Sequence, residues 1–307
     1  MALVYGDIAW ASRTDGPGTR VVLYLRGCGL QCPWCHSPHL QEMGSDLLFF
    51  EERCSRCGAC VAACPHGVHR IDGGRHHVDR SRCRRCGRCV AVCPTVTPGV
   101  PLSGALALPV LKAAPEDLFR RLRPQLELLR RIGGLTVCGG EPLVQARALR
   151  RLLELCRARG IHVAVETSGA VSRRRFALLV DVVDCWLYGL RPMGEEVCDP
   201  LAVGDFDRVR RNLAFLAGRP GTRVIVRTPV VPGTTDGRES LSTIADVMVA
   251  NGLSELELLP LNPHSSHYYR AMGRPYPLGD VVPPSDTELS QVSAYFGSRG
   301  LQARIVQ

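Results

Sequence analysis

Short apolar runs alternate with longer amphipathic stretches over most of this chain. VVLYL (21–25), LTVC (135–138), IHVAVE (161–166), VVDCWLY (182–188), TRVIVRTPVV (222–231), LSELELLP (253–260) and LQARIV (301–306) read as strands. Between them, VQARALRRLLELCRARG (144–160) is an amphipathic helix closed by Gly160, and RRRFALLV (173–180), DRVRRNLAFLAG (207–218), a segment near 238–250 and SDTELSQVSAYFGSRG (285–300) also read as helices. Pro115 suits the first turn of a helix running on through EDLFRRLRPQLELLRRI, and Pro124 is predicted to kink or divide it. Strands alternating with helices at this spacing predict a parallel sheet with helical crossovers, six or so units making a partial barrel.

Residues from about 48 to 100 break this pattern. Cys54, Cys57, Cys60 and Cys64-Pro65 form a C-x2-C-x2-C-x3-C-P run, and Cys83, Cys86, Cys89 and Cys93-Pro94 repeat it 29 residues later. This duplication matches the bacterial two-cluster ferredoxin pattern, in which the fourth cysteine of each run crosses to the other cluster. That match implies Cys54, Cys57, Cys60 and Cys93 on one [4Fe–4S] cube, and Cys83, Cys86, Cys89 and Cys64 on the other. Zinc is the competing ion. So small a segment has little apolar core, and its clusters must help to hold it folded. His66, His69, His76 and His77 lie between the runs and are expected at the surface or behind the ligands, not on iron.

A chain of 307 residues can bury one large domain and a small one. The division expected is a barrel over 1–47 and 101–307 with an insertion over 48–100. No run is long and apolar enough to cross a bilayer, and the N-terminus has no basic region followed by an apolar one, so a cytoplasmic protein is expected. Fifteen cysteines there argue for metal sites; eleven fall into three tight arrays, and Cys138, Cys156, Cys185 and Cys198 stand apart. The net charge of +9 comes largely from arginines scattered over helices. With few aromatics and none interleaved with a basic run, no nucleic-acid partner is expected; the basic surface suits an acidic redox partner.

The third array lies in RGCGLQCPWCH (26–36), directly after the first predicted strand, where chemistry gathers in parallel α/β proteins. Cys28, Cys32 and Cys35 give a C-x3-C-x2-C spacing with Trp34 before the last cysteine. Three thiolates on so short a loop can hold three irons of a [4Fe–4S] cube and leave the fourth iron open. A zinc knuckle completed by His36 or His39, or a disulfide-bonded loop, is the other reading. The spacing and context resemble the radical S-adenosylmethionine (SAM) superfamily. The resemblance implies that the open iron chelates SAM and that one electron splits SAM to methionine and a 5′-deoxyadenosyl radical. It also implies that the turn Gly139-Gly140-Glu141-Pro142 pairs with the methionyl amino group, its glycines allowing close approach and offering free amides and carbonyls.

The segments DGPGTR (15–20), LRGCGLQCPWCHSP (25–38), GGEPL-x-Q (139–145), ETSG (166–169), VRTPVVPGTTD (226–236) and LLPLNP…YYRAMGRPYPL (258–278) extend that resemblance to the glycyl-radical enzyme activating enzymes, in the longer type with a two-cluster insertion. The fold implied is α/β, a partial (β/α)6 radical SAM barrel with an inserted ferredoxin-like domain. The cofactors implied are three [4Fe–4S] clusters, one SAM-binding and two auxiliary, together with SAM. The activity implied is hydrogen-atom removal from a backbone glycine of a partner glycyl-radical enzyme, with a flavodoxin or ferredoxin as reductant. Cys28, Cys32 and Cys35 would be catalytic. Trp34, Gly139, Gly140, Glu141, Glu166, Thr167, Arg191, Arg227 and Asn262 would contact SAM, with Glu166 and Thr167 near its ribose and methionine part and Arg227 on its carboxylate. Glu166 could instead cap the next helix, and Arg227 could be a surface charge.

The chain departs from the family pattern in four places. Gly189-Leu190-Arg191 stands for Asp-x-Lys, Leu261-Asn262 for Tyr-His, Ser265-Ser266-His267-Tyr268-Tyr269 for Gly-x-x-Lys-Tyr, and Cys138 for the serine of SGGEP. These changes also suit a radical SAM enzyme acting directly on a small molecule. A ferredoxin-like carrier without catalysis is the third possibility, and it has no use for a SAM pocket.

Overall fold

The computed structural model describes residues 1–44, 46–192 and 205–306. In chain order the elements are β1 (Leu3–Ser12), β2 (Thr19–Leu25), β3 (Leu48–Phe49), α1 (Ala59–Ala63), β4 (His69–Asp72), β5 (Arg75–Val78), α2 (Arg88–Ala91), β6 (Leu106–Ala107), β7 (Leu111–Ala113), α3 (Pro115–Leu129), β8 (Gly133–Gly139), α4 (Ala146–Arg157), β9 (His162–Thr167), α5 (Arg173–Ala177), β10 (Cys185–Gly189), α6 (Phe206–Ala217), β11 (Arg223–Val230), α7 (Arg238–Ala250), β12 (Glu255–Pro260), α8 (Ser266–Met272), α9 (Asp286–Ser298) and β13 (Gln302–Ile305).

The main sheet runs β13-β12-β11-β10-β9-β8-β2-β1-β7. All seven strands read from the apolar pattern pair in parallel in it. Antiparallel β1 and β7 extend it beyond β2. The apolar pattern did not announce β1, because polar and small residues interrupt LVYGDIAWAS.

Side chains alternate across the sheet. Val21, Leu23, Leu135, Val137, Val163, Val165, Trp186, Val224, Val226, Leu256 and Leu258 face α3, α4, α6, α7 and α9 and make the main core with them. The opposite face carries a small apolar layer of Ala164, Cys185, Leu187 and Ile225, with polar residues beyond it. Pro124 does not divide α3, contrary to expectation. Leu118, Leu122, Leu126 and Leu129 anchor one buried face of the helix, and the proline sits on the exposed face, where water can take the carbonyl that lost its partner.

The insertion leaves and rejoins the barrel through a short antiparallel neck, Leu48 against Ala107 and Phe49 against Leu106. Its duplication is visible in the backbone. Arg56 and Arg85 both have φ of 57°, and Gly58 and Gly87 have φ of 79° and 77° before α1 and α2. Among the described residues no helix is long and apolar enough to cross a membrane.

Candidate active site and cluster sites

The cysteine loop is folded around one side chain. Arg26 is buried, and its guanidinium donates to the carbonyls of Pro109 (2.8 Å), Glu42 (3.1 Å), His39 and Gly44. The amides of Gly27 and Cys28 donate back to Leu40 and Gln41 at 2.8 and 2.7 Å. This brings the partly buried thiols of Cys28, Cys32 and Cys35 together. Burial pushes Cys28 up to about 11 and Cys35 up to about 12; neighbouring sulfurs push the same way, while Arg191 opposes them. Thiols that raise one another's pKa in a shared pocket need a soft cation to ionise, which fits an iron–sulfur cluster. His36 is exposed, and His39 is buried and stacked on Tyr268 at 3.8 Å.

The Gly-Gly-Glu-Pro turn serves this loop first. The amides of Gly140 and Glu141 donate to Leu25 and Gly27 carbonyls at 2.8 and 2.7 Å, so they are not free as expected. A Cβ on Gly139 or Gly140 would lie 2.4 Å from the Leu25 or Gly27 carbonyl oxygen. The glycines therefore admit the backbone of the cysteine strand. Glu141 is buried and accepts from the Thr167 hydroxyl (2.9 Å), the Ser168 amide (2.8 Å) and hydroxyl (2.6 Å), and the Leu143 amide (3.1 Å). One carboxylate thus ties the β8 turn to the β9 turn, and Thr167 spends its hydroxyl on it. Asn212 secures the far side, donating to the carbonyls of Gly169 and Val171 at 2.9 and 2.8 Å.

On the sheet face turned from the helices, strand register sets polar side chains side by side. Tyr24 lies opposite Cys138, and Arg227 lies between Gly189 and Glu257. Arg227 is no surface charge. It is 3% exposed and donates to Glu257 (2.7 Å), Glu166 (3.3 Å) and the Thr14 carbonyl (2.6 Å). Burial alone would lower its pKa, but Glu166 and Glu257 outweigh that and raise it. Glu166 accordingly pairs with this arginine and caps no helix. Asp15, Cys138 and Glu166 offer ligand atoms within 4.8 Å of one another, and burial beside the two acids keeps the Cys138 thiol protonated.

Arg191 follows β10 and acts electrostatically on Cys28 and Cys35. Its Nε is buried without a hydrogen-bond partner among the described residues. A Cβ on Gly189 would lie 2.8 Å from its Nη2, so the guanidinium folds over the glycine. Trp34 packs with Val231 and Leu261, and Cys32 lies against the same cluster. Asn262 is exposed and accepts from the His264 amide at 2.8 Å, opening the turn into α8.

In the insertion, one cavity is lined by Cys54, Cys57, Cys60 and Cys93, and a second by Cys64, Cys83, Cys86 and Cys89. Each therefore gathers three cysteines of one run and the last of the other. His66 is half-buried and His77 exposed, whereas His69 and His76 are buried between the cavities. Of the cysteines outside the arrays, Cys138, Cys156 and Cys185 are buried and Cys198 lies outside the described residues.

Residues 46–94 match the family described as a 4Fe-4S dicluster domain. The isethionate sulfite-lyase activating enzyme of Desulfovibrio desulfuricans is 34% identical over 273 residues, covering 87% of this chain and 85% of that protein. The benzylsuccinate synthase activating enzyme of Thauera aromatica is 32% identical over 277 residues, 87% of this chain and 81% of its own length. The chain belongs to the glycyl-radical enzyme activating enzymes. A crystallised domain of a pyruvate-formate lyase-activating enzyme from Bacteroides vulgatus covers 56% of this activating enzyme and 98% of its own chain, at 22% identity and a TM-score of 0.46. Activating enzymes of this radical SAM family use a [4Fe–4S] cluster with SAM and act on partner glycyl-radical enzymes. The parallel sheet, with one helix-covered face and one polar face, is the partial barrel of that family.

Several working parts of this activating enzyme escaped sequence reasoning. Glu257 is the clearest: in LSELELLP the alternation of Glu255 and Glu257 with leucines marks both acids as sharing one face, yet nothing local says that this face is buried. Asp15 and Tyr24 join the polar face for the same reason, one from a loop and one from an apolar strand. Gln145 clamps Val4 through both amide atoms at 2.8 and 2.7 Å, a contact spanning 141 residues.

Proposed function

We propose that Cys28, Cys32 and Cys35 hold one [4Fe–4S] cluster through three of its irons and present the fourth to SAM. We propose further that the insertion holds two more clusters, on Cys54, Cys57, Cys60 and Cys93 and on Cys83, Cys86, Cys89 and Cys64, giving three in all. The insertion would then occupy about 48–100 within a barrel of 1–47 and 101–307. When bound, the first cluster supplies the single electron that splits SAM to methionine and a 5′-deoxyadenosyl radical.

The observation that carries this reading is the unpartnered, buried Nε of Arg191 beside Cys28 and Cys35. A buried guanidinium donor without an acceptor calls for an anionic group, and the SAM carboxylate is one that the three-cysteine site would bring there. In this arrangement Arg191 takes the carboxylate, and the carbonyls of Gly139 and Gly140 face the amino group. Glu166 and Thr167, held by Arg227 and Glu141, border the ribose and methionine part. Trp34 closes the apolar side, and Asn262 lies at the rim of the same pocket. The radical takes a hydrogen atom from a backbone glycine of a partner glycyl-radical enzyme, and a flavodoxin or ferredoxin is the reductant.

The test is product analysis after anaerobic loading with iron and sulfide, addition of SAM and a strong reductant. 5′-Deoxyadenosine is expected from the wild-type chain and none from Cys32→Ala, while the insertion of that variant keeps its iron. Mixing with a glycyl-radical enzyme encoded nearby should give a glycyl radical signal in electron paramagnetic resonance (EPR). Methylthioadenosine, no nucleoside, or full activity in Cys32→Ala overturns the assignment.

A further inference from the structure

His69 and His76 join the two four-cysteine cavities of the insertion. They stand on the β4–β5 hairpin, where His69 is opposite Val78 and His76 opposite Ile71. Both are buried, at 4% and 7% exposure, in a segment whose apolar core is small. Nδ1 of His76 lies 3.4 Å from Sγ of Cys54, and its Nε2 lies 3.7 Å from Sγ of Cys60 and 3.0 Å from Nδ1 of His69. His76 lines the cavity of Cys54, Cys57, Cys60 and Cys93; His69 lines the other. The ring of Phe49 covers His76 at 4.5 Å.

The hairpin falls between the two cysteine runs, so the internal repeat supplies it once. The first cavity therefore has an imidazole on two of its sulfurs and the Thr95 hydroxyl 3.2 Å from a third, that of Cys93. At the second cavity the corresponding contact is the Arg85 amide on Cys83 at 3.4 Å. A cluster-bound thiolate only accepts, which requires Nδ1 of His76 to carry a hydrogen. In a neutral ring Nε2 of His76 then accepts, and Nδ1 of His69 must donate to it. The leftover atom is Nε2 of His69, as an acceptor, and that atom is buried without a hydrogen-bond partner among the described residues.

We propose that His76 donates a hydrogen bond from Nδ1 to Sγ of Cys54 in the Cys54/Cys57/Cys60/Cys93 cluster, with His69 setting its tautomer, so that this cluster has a higher reduction potential than its twin. The proposal rests on the reading of the insertion as a two-cluster domain. Its physical basis is that one-electron reduction adds negative charge to a cluster already ligated by thiolates, and donors to sulfur stabilise that charge. Its consequence is a preferred location for the stored electron in an otherwise duplicated fold. Cys60, His69 and His76 also offer ligand atoms within 4.8 Å of one another, a spacing that a single zinc ion would accept. Cys60, however, already belongs to the wall of the four-cysteine cavity.

The experiment uses the full chain carrying Cys28→Ala, Cys32→Ala and Cys35→Ala, so that EPR sees the insertion alone. Iron, sulfide and zinc are measured first. Redox titration should then resolve two separate one-electron steps. His76→Leu should move the higher step to more negative potential and leave the lower one in place, His69→Leu should move it part of the way, and His76→Gln, which retains a donor, should keep most of the separation. Without any substitution in the hairpin, labelling histidine with 15N should show a weakly coupled histidine nitrogen on the reduced high-potential cluster. Two clusters' worth of iron with coincident potentials, or a His76→Leu variant whose steps do not move, overturns the proposal. Stoichiometric zinc on the histidines does so too. Iron short of two clusters overturns the underlying two-cluster reading.

Discussion

At the scale of single residues, Gly189 and Arg191 explain each other. Arginine in place of the expected lysine brings a planar guanidinium whose Nη2 lies 2.8 Å from where a Cβ on Gly189 would stand. A carboxylate side chain at 189 and an arginine at 191 therefore compete for one volume. Gly189→Asp alone should displace Arg191 and weaken SAM binding by roughly tenfold or more, about 1.4 kcal/mol. Adding Arg191→Lys should recover most of the loss, and isothermal titration of the three variants against SAM checks it; equal losses in single and double variants would refute the coupling. Glu257 offers a second test at this scale. It is 3% exposed and bridges Arg227 and Arg304. Glu257→Ala removes the acid that Arg227 bonds at 2.7 Å and leaves it Glu166 at 3.3 Å, and a fall in stability of about 3–5 kcal/mol is expected. A thermal midpoint unchanged from wild type would show the pair to be dispensable.

At the scale of elements, the cysteine loop has no secondary structure to shape it, and Arg26 does that work from the end of β2. Its four carbonyl contacts hold residues 39–44 and 109 around the loop. Arg26→Ala leaves those carbonyls without their donor. The SAM-responsive EPR signal should then fall several-fold while the insertion keeps its iron. Equal loss of iron from both regions would instead mean that the whole chain had been destabilised. The GGEP turn belongs to the same assembly. Its sequence position suggested a ligand cradle, yet both glycines are needed to admit the Leu25–Gly27 backbone, and Glu141 fastens the neighbouring turn.

At the scale of the whole molecule, the insertion is seated on the barrel by packing as well as by its neck. Phe50 packs with Leu48, Ala107, Ala271 and Met272, and its ring stacks on His267 at 5.0 Å. Arg80 donates to the Ala271 carbonyl at 2.7 Å, and Asp46 pairs with Arg274 at 2.6 Å. Phe50→Ala should cost about 3–5 kcal/mol at this seam. It should expose the neck to protease, releasing the insertion and leaving two barrel fragments, one from each side of it, that stay associated through the shared sheet. Digestion at the wild-type rate would show that the neck alone fixes the insertion.

The chain's own order of residues was enough for the seven parallel strands, the duplicated cysteine runs and the three-cysteine loop. Each is a local signal: apolar runs of strand length, a repeat of fixed spacing, and soft ligands within reach of one another. Tertiary structure alone decided which polar groups share the site. Arg227, Glu257, Glu166 and Thr14 come from separate strands and a loop, and only parallel register makes them neighbours. The same holds for His69 and His76. As letters they were two of four histidines between the runs; the hairpin turns those two inward and leaves His77 outside, because alternate residues of a strand face opposite ways. Spacing specifies what a short segment can ligate, whereas burial and charge pairing depend on contacts between residues far apart in sequence.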